Sequence, residues 1–239
     1  MRQLRSELLK LSTIRLPLTL VAVTAGFVGL ITAVTILVGD GPHELTDLLG
    51  GAAAASFFVF VLGLLALTGE YRHGTLTPTY TAVPRRARVY LAKLGALALA
   101  GLITAALALL AAWLVALVAT AAVDAELVGG DVWGLVARTL LLYAGMSLLG
   151  VGIGAIVRIE LAAVVGGLVY LFIAESLLTS LAPSVGRWLV FTSGTAFATG
   201  GAATDARLAW WTAGLVFVAY LLAALVAGLI VTLRSDIAE

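Results

Sequence analysis

The residues that decide the fold run from Leu94 to Val123, LGALALAGLITAALALLAAWLVALVATAAV, which is 30 positions without one charged side chain. A helix needs about 20 such residues to cross the hydrocarbon core of a bilayer, so this run is long enough to cross it with a tilt. Five further apolar runs lie on either side of it, separated by charged residues. Because lipid offers backbone amides no partners, these runs are expected to be helices. The predicted spans cover residues 17-38, 50-69, 91-121, 134-157, 161-181 and 208-233.

The composition of the whole chain agrees with a membrane protein. Of its 239 residues, 62% are hydrophobic and only 11% are charged, whereas soluble domains have about 45–50% apolar and about 25% charged residues. A soluble enzyme and a nucleic-acid-binding domain are therefore excluded, and no nucleic acid is expected as a partner. The chain has no cysteine, which excludes disulfides and cysteine-ligated metals. We expect a single all-α transmembrane domain over residues 1-239 with no metal site.

The distribution of positive charge predicts the orientation of the chain. Eleven of the 14 Lys and Arg residues fall on the side that holds both termini, and three fall on the other side, together with seven acids. Since cytoplasmic loops are enriched in Lys and Arg, both termini are predicted to be cytoplasmic. Residues 1-16 have apolar positions at helical spacing and basic positions between them, which predicts a helix lying in the membrane interface. A basic tail without regular structure is the alternative.

The loop between the second and third spans, residues 70-90, concentrates charge and turn-forming residues. Pro78 fits the first turn of a short helix that Thr77 would cap, and Pro84 would end that helix. We interpret the loop as a docking element for another protein. For the arginines at 85, 86 and 88, an equally good alternative is that they only set the topology and contact lipid headgroups. The candidate docking residues are Glu70, Tyr71, Arg72, His73, Gly74, Thr75, Pro84, Arg85 and Arg86.

The six spans, the N-terminal interfacial helix and the Glu-Tyr-Arg-x-Gly-Thr element at 70-75 resemble the permease subunits of the ABC-2 exporter family. The resemblance implies a type V exporter-like architecture, in which a short coupling helix after the second span contacts a separate ATP-binding subunit. It also implies two copies of that subunit, a second permease copy, and export of a hydrophobic or amphipathic drug, antibiotic, peptide or lipid across the plasma membrane of a bacterium.

The sequence around the two lysines is consistent with nucleotide binding by a partner subunit. A phosphate-binding loop reads G-x-x-x-x-G-K-[ST], and the chain's two lysines, Lys10 and Lys93, follow Leu9 and Ala92 instead. This chain is therefore expected to be no enzyme and to carry no cofactor of its own, with ATP and Mg bound in the partner subunit. Surfaces of the first and fifth spans that are rich in Gly and Ala are candidate contacts for the permease dimer.

Glu175 is the one acid inside a predicted span, and an intramembrane carboxylate is a functional candidate by default. It is predicted to lie in the transport pathway, where it can contact cargo, carry a proton, or pair with Arg138 near the outer end of the fourth span. Hydration close to the outer interface is the simpler alternative. Residues 182-206 combine Trp188 and Phe191 with small polar residues, which predicts an outer re-entrant or interfacial helical segment rather than an irregular loop.

Three other functions compete with that of an exporter. An intramembrane protease is disfavoured because His43 and His73 fall in loops on opposite sides and Glu175 has no second acid beside it. A secondary transporter that works without ATP stays open, and so does a non-transporting sensor or immunity subunit. The glycines of the fourth span at 150, 152 and 154 predict close helix packing and no nucleotide site.

Overall fold

The computed structural model describes residues 7, 15–39, 43–74, 86–123 and 127–234. Within these ranges the regular secondary structure is helical apart from one pair of two-residue strands, so the all-α prediction is confirmed. The predicted interfacial helix at 1-16 lies outside the described residues, except for Glu7, which is helical, and the two residues that open the first long helix. The elements are α1 (Arg15–Val38), β1 (His43–Glu44), α2 (Leu45–Ala54), α3 (Ser56–Arg72), α4 (Arg86–Val123), β2 (Leu127–Val128), α5 (Val132–Val157), α6 (Glu160–Val169), a π-helical segment (Tyr170–Glu175), α7 (Ser176–Leu181), α8 (Pro183–Gly186), α9 (Val190–Thr199) and α10 (Trp210–Arg234).

Among the described residues, six helical stretches are long and apolar enough to cross a membrane. The prediction of a multi-pass membrane protein with six transmembrane helices is therefore confirmed. The second and fourth spans are the most buried and form the centre of the bundle, whereas the fifth and sixth present most of their surface outward. The six spans are Pro17–Val38, Gly50–Arg72, Ala87–Val123, Val132–Val157, Glu160–Leu181 and Trp210–Arg234.

The spans alternate in direction, so the bundle has two distinct ends. We call the end where α1 begins and α10 ends the terminal end, and the opposite end the far end. At the far end β1 pairs in parallel with β2, with His43 opposite Leu127 and Glu44 opposite Val128. This short pair ties the connection after α1 to the connection after α4.

The helices at the terminal end extend further than the apolar pattern predicts. Helix α3 continues to Arg72 and α4 begins at Arg86, so both ends of the stretch assigned to the coupling loop, 70-90, are helical. The reason is that a span can project beyond the apolar layer and carry its charged residues on the projecting turns. Residues 75–85, which hold the predicted short helix, lie outside the described residues.

The segment between the fifth and sixth spans is helical in two pieces, α8 and α9, followed by a turn at Gly200 and Gly201. Both glycines have positive φ, of 75° and 102°, which is the conformation that favours glycine. Helix α9 buries its residues at 190, 193, 194, 196 and 198 against the bundle. Within the segment 182-206, residues 183–186 and 190–199 are therefore helical and the rest forms the connections between them and α10.

Close contact between α3 and α5 depends on glycine, as the sequence predicted. A Cβ built on Gly150 would lie 2.2 Å from the carbonyl oxygen of Phe60, and one built on Gly63 would lie 2.0 Å from that of Ser147. Across the other face of α5, a Cβ on Gly152 would lie 2.7 Å from the carbonyl oxygen of Ala224 in α10. The three helices thus pack backbone against backbone, which small residues permit in membranes.

We predict that Gly150→Ala destabilises the bundle because its added methyl group has to push two backbones apart. Overpacking of this kind costs about 1–3 kcal/mol. The matched control is Gly69→Ala in α3, where an added Cβ would meet nothing within 4 Å. The midpoint of unfolding of the detergent-solubilised protein should fall for Gly150→Ala and stay or rise for Gly69→Ala. Equal midpoints for the two variants would contradict this packing.

Candidate functional site

The terminal end holds a buried lysine, Lys93, on the inward face of α4. Its neighbours on that face at helical spacing, Tyr90 and Leu97, are buried core residues, and Lys93 itself is only 3% exposed. A lysine ammonium in apolar surroundings is costly unless it is neutralised and hydrogen-bonded. Lys93 therefore needs partners from the segments packed around it.

Three oxygens from two other segments surround the ammonium group of Lys93. Its Nζ lies 2.9 Å from Oε1 of Glu70 and 3.1 Å from Oε2 of Glu7, and it donates to the carbonyl oxygen of Ala66 at 3.2 Å. An ammonium group has three hydrogens to donate, so this set matches its full capacity. Glu70 and Ala66 belong to α3, whereas Glu7 precedes α1. We call Glu7, Glu70 and Lys93 the terminal cluster.

The terminal cluster brings three parts of the chain to one point: the N-terminal segment, the end of the second span and the start of the third. Removing one partner of such a buried pair strands a charge and typically costs about 3–5 kcal/mol. The separation of these parts is therefore strongly opposed.

A second set of contacts links the end of α3 to the fifth span. Nη1 of Arg72 lies 3.1 Å from Oε2 of Glu160, the first residue of α6. The guanidinium of Arg158 lies over the ring of Tyr71, 5.7 Å from its centroid. Arg158 has φ of 59°, a left-handed conformation that ends α5 and turns the chain into α6. The second, fourth and fifth spans thus meet beside the terminal cluster.

The structure divides the predicted docking residues into inward and outward groups. Glu70 points into the terminal cluster, with 13% of its side chain exposed, and Tyr71 is half-buried. Arg72 is outward, with 65% of its side chain exposed, and His73 and Gly74 are exposed as well. Gly74 has φ of 65°, so its backbone suits glycine. Thr75, Pro84 and Arg85 lie outside the described residues, and Arg86 opens α4.

The two residues predicted to lie in the transport pathway are not paired with each other. Arg138 pairs instead with Asp131, at 3.3 Å, and donates from Nε to the carbonyl oxygen of Ala198. Asp131 is the N-cap of α5 and accepts from the amide of Gly134, so it is already held at the right place for this pair. The ion pair between Glu175 and Arg138 is therefore wrong, because a capping carboxylate two turns away takes its place.

Glu175 is buried, at 2% exposure, at the end of the π-helical segment. Its Oε1 accepts a hydrogen bond from the backbone amide of Thr192 in the first turn of α9. The N-cap residue of α9, Leu189, has no polar side chain, so Glu175 supplies the missing cap from another helix. A single-turn π segment re-aims side chains and is frequent at functional sites. The burial of Glu175 among the described residues argues against the alternative that its carboxylate is hydrated.

Sequence reasoning missed Glu7 and Lys93 as site residues. In the structure the buried positions of α4 recur at 89, 90, 93, 96 and 97, which is the period of one helix face. The sequence does not reveal this face, because apolar residues lie on every side of α4 and single out no inward position for Lys93. Glu7 carried no signal either, because nothing local shows that an acid near the terminus folds back onto the third span.

We predict that Lys93→Met strongly destabilises the terminal end, because Glu7 and Glu70 are left buried together with no ammonium group between them. The expected loss is about 3–5 kcal/mol. Arg88→Met is the matched control, since it removes a cation from an exposed position of the same helix. The free energy of unfolding in detergent should be nearly unchanged for this control. A Lys93→Met protein as stable as the Arg88→Met protein would rule out the cluster.

We predict that Glu175→Leu loosens the first turn of α9, whereas Glu175→Gln largely preserves it. Glutamine retains an oxygen that can accept from Thr192, while leucine leaves that amide without a cap, at a cost of about 0.5–2 kcal/mol. Hydrogen exchange of the amides at 190–193 reports the difference directly. Unchanged protection in Glu175→Leu would show that Glu175 does not hold this helix.

Comparison with known protein families and with curated proteins gives no match for this chain. No model of a known protein family matches it, and no curated protein matches it. Its function therefore has to be argued from the residues and their geometry.

Proposed function

We propose that this chain is the permease subunit of an ATP-driven exporter of the ABC-2 kind. In this proposal a separate ATP-binding subunit acts on the terminal end, which faces the cytoplasm as the Lys and Arg distribution predicts. The observation that carries the proposal is the terminal cluster, in which Lys93 joins Glu7 and Glu70. It lies where the chain enters and leaves the loop that resembles a coupling element.

The cluster supplies what a coupling element needs mechanically. The loop in question joins α3, which ends at Arg72, to α4, which begins at Arg86. Both flanking helices are held together by the contact of Glu70 with Lys93, so a force on the loop moves them as one unit. The pair formed by Arg72 and Glu160 extends this unit to the fifth span. The ATP-binding subunit can therefore displace several spans through one contact.

The exposed end of α3 is the part of this unit that a partner can reach. Arg72, His73 and Gly74 are exposed, and the ion pair of Arg72 with Glu160 is a surface pair worth about 0–1 kcal/mol. Arg72 can exchange that partner for a carboxylate of another subunit at little cost. Glu70 is unsuited to direct docking because its carboxylate already pairs with Lys93 in the terminal cluster.

The proposed cargo is a hydrophobic or amphipathic compound, and the proposed assembly contains two permease copies and two ATP-binding subunits. ATP and Mg would be bound by the partner, as in the family that the chain resembles. Within the described residues, Gly26 of α1 and Gly166 of α6 have nothing within 4 Å of a built Cβ. These open glycines on the first and fifth spans leave room for the close approach of a second copy.

A transporter that works without ATP is the second candidate, and Glu175 is the observation that favours it. Its Oε2 is buried and has no hydrogen-bond partner among the described residues. A buried carboxylate in an interrupted transmembrane helix is the kind of group that binds protons or ions in secondary transporters. The two candidate functions differ in their energy source, which is ATP in the first and an ion gradient in the second. An experiment can therefore distinguish them.

We predict that the tagged chain, purified from its native membrane, brings with it a protein with ATPase activity, and that Arg72→Glu loses most of that activity. The reason is that charge reversal at the exposed end of α3 repels the partner's carboxylate. Glu160→Arg is the matched control, because it breaks the same intramolecular pair while leaving Arg72 in place. At equal membrane abundance, this control should retain the ATPase.

Two results would contradict the proposal. An equal loss of ATPase in both variants would mean that the pair with Glu160 matters and docking does not. Transport that survives ATP depletion but stops when a protonophore is added, with no ATPase co-purified, would establish the second candidate instead.

A further inference from the structure

A cavity of ≈ 600 Å³ opens at the far end of the bundle, between the start of the second span, the start of α5 and the turn after α9. This volume lies within the about 300–1,000 Å³ of sites for small molecules. Four charged residues line it, namely Glu44, Asp131, Arg138 and Arg207, together with Trp210. A second cavity of ≈ 430 Å³ adjoins it and shares Gly50, Thr199 and Arg207 with it. The second cavity is lined mainly by apolar groups, among them Ala53, Ala54 and Phe191.

Arg207 stands at the junction of the two cavities with an uncompensated charge. Its Nη2 donates to three neutral oxygens, the carbonyls of Ala196 and Gly200 and the hydroxyl of Thr199, all in or next to α9. No carboxylate of the described residues lies within 4.0 Å of its guanidinium. Nη1 has no hydrogen-bond partner in the described part of the chain and is not buried. The guanidinium is therefore held in place from one side and open on the other.

The other charged residues of the cavity already have partners. Arg138 pairs with Asp131 and lies over the ring of Trp210, 5.6 Å from its centroid. Glu44 also makes an interaction of its own. The two arginines approach each other around Gly200, where a built Cβ would lie 2.9 Å from Nη2 of Arg138. The cavity thus presents a second cation beside Arg207, while the carboxylate of Asp131 in its wall is already engaged by Arg138 and the amide of Gly134.

We propose that this double cavity binds an anionic amphipathic molecule, with its carboxylate, phosphate or sulfate head at Nη1 of Arg207 and its apolar tail in the adjoining cavity. A guanidinium with free donors forms strong, charge-assisted hydrogen bonds with such anions. The apolar cavity begins at the same arginine, so one molecule with a charged head and an aliphatic chain fills both volumes. This inference concerns binding at the far end and does not depend on the proposed coupling to ATP.

Radiolabelled dodecanoate, bound to the full chain in nanodiscs of phosphatidylcholine, tests the proposal directly, with empty nanodiscs as background. We expect saturable binding, at least tenfold weaker in Arg207→Gln. Arg187→Gln is the matched control, because it neutralises another arginine near the far end whose side chain does not line either cavity. Dodecanol, which has the same chain without the charge, should compete at least tenfold less well than unlabelled dodecanoate.

Because Arg207 also anchors the end of α9, its replacement could abolish binding by disturbing the fold. A second variant, which leaves Arg207 in place, separates the two causes. A Cβ built on Gly50 meets Thr199 at an ordinary 3.6 Å, so Gly50→Leu should fill the part shared by the two cavities and leave Arg207 in place. We expect it to abolish binding as well. Wild-type binding in both Arg207→Gln and Gly50→Leu, an equal loss in Arg187→Gln, or dodecanol competing as well as dodecanoate would overturn the proposal.

A further experiment determines whether the anionic head belongs to a lipid of the bilayer or to a free amphiphile. Nanodiscs that contain phosphatidylglycerol should displace dodecanoate if the site takes a lipid headgroup from the bilayer, and should leave its binding unchanged if the site takes free amphiphiles. Both results support a site for an anionic head. Absence of saturable dodecanoate binding in phosphatidylcholine nanodiscs overturns it.

Discussion

The cost of burying the ammonium group of Lys93 is the constraint on which the terminal end depends. An ion taken from water into an apolar interior loses several kcal/mol of hydration, which only close and well-oriented partners can offset. Glu7 and Glu70 supply those partners from segments that are distant in sequence. These contacts therefore hold the second span, the third span and the N-terminal segment together. The loop between the two spans is attached at both ends to this rigid unit. Helix packing in membranes depends mainly on contact between small residues. Such packing alone would not hold the ends of these helices together as strongly as the buried ion pairs do.

The far end is organised by arginines rather than by a lysine. Arg138 and Arg207 approach the backbone at Gly200 from two sides, and α9 is held between them and the carboxylate of Glu175. Helix α9 is thus fixed by charged groups at both of its ends. The difference between the two ends is in accessibility. At the terminal end the buried charges of the terminal cluster are engaged in internal contacts, and at the far end Arg207 keeps donors that face an open cavity. An exporter of amphipathic compounds, as proposed, would need both a rigid end to be driven and an end with room for a ligand.

The six spans were predictable because each is an uninterrupted apolar run, and that pattern is local. The close packing at Gly150 was predictable for the same reason, since small residues recur within one helix. The partners of charged residues were not, because they depend on which helices are neighbours in space. Glu175 was correctly identified as unusual, yet its partner is a backbone amide of α9, which has no sequence signature. Arg138 was assigned the wrong partner because Asp131 was treated as a loop residue and not as the N-cap of α5. The pairing of Glu7 with Lys93 joins positions 86 residues apart.

The central claim is that Glu70 and Lys93 stabilise each other as a buried pair, and a double-mutant cycle measures this coupling most directly. The free energies of unfolding of Glu70→Gln, Lys93→Met and the double variant are compared with that of the wild type in the same detergent. Residues in contact couple by about 0.5–3 kcal/mol, and for a buried pair we expect a value in the upper half of this range. The double variant should therefore lose less stability than the two single variants lose in sum. Losses that add to within about 0.5 kcal/mol would contradict the account.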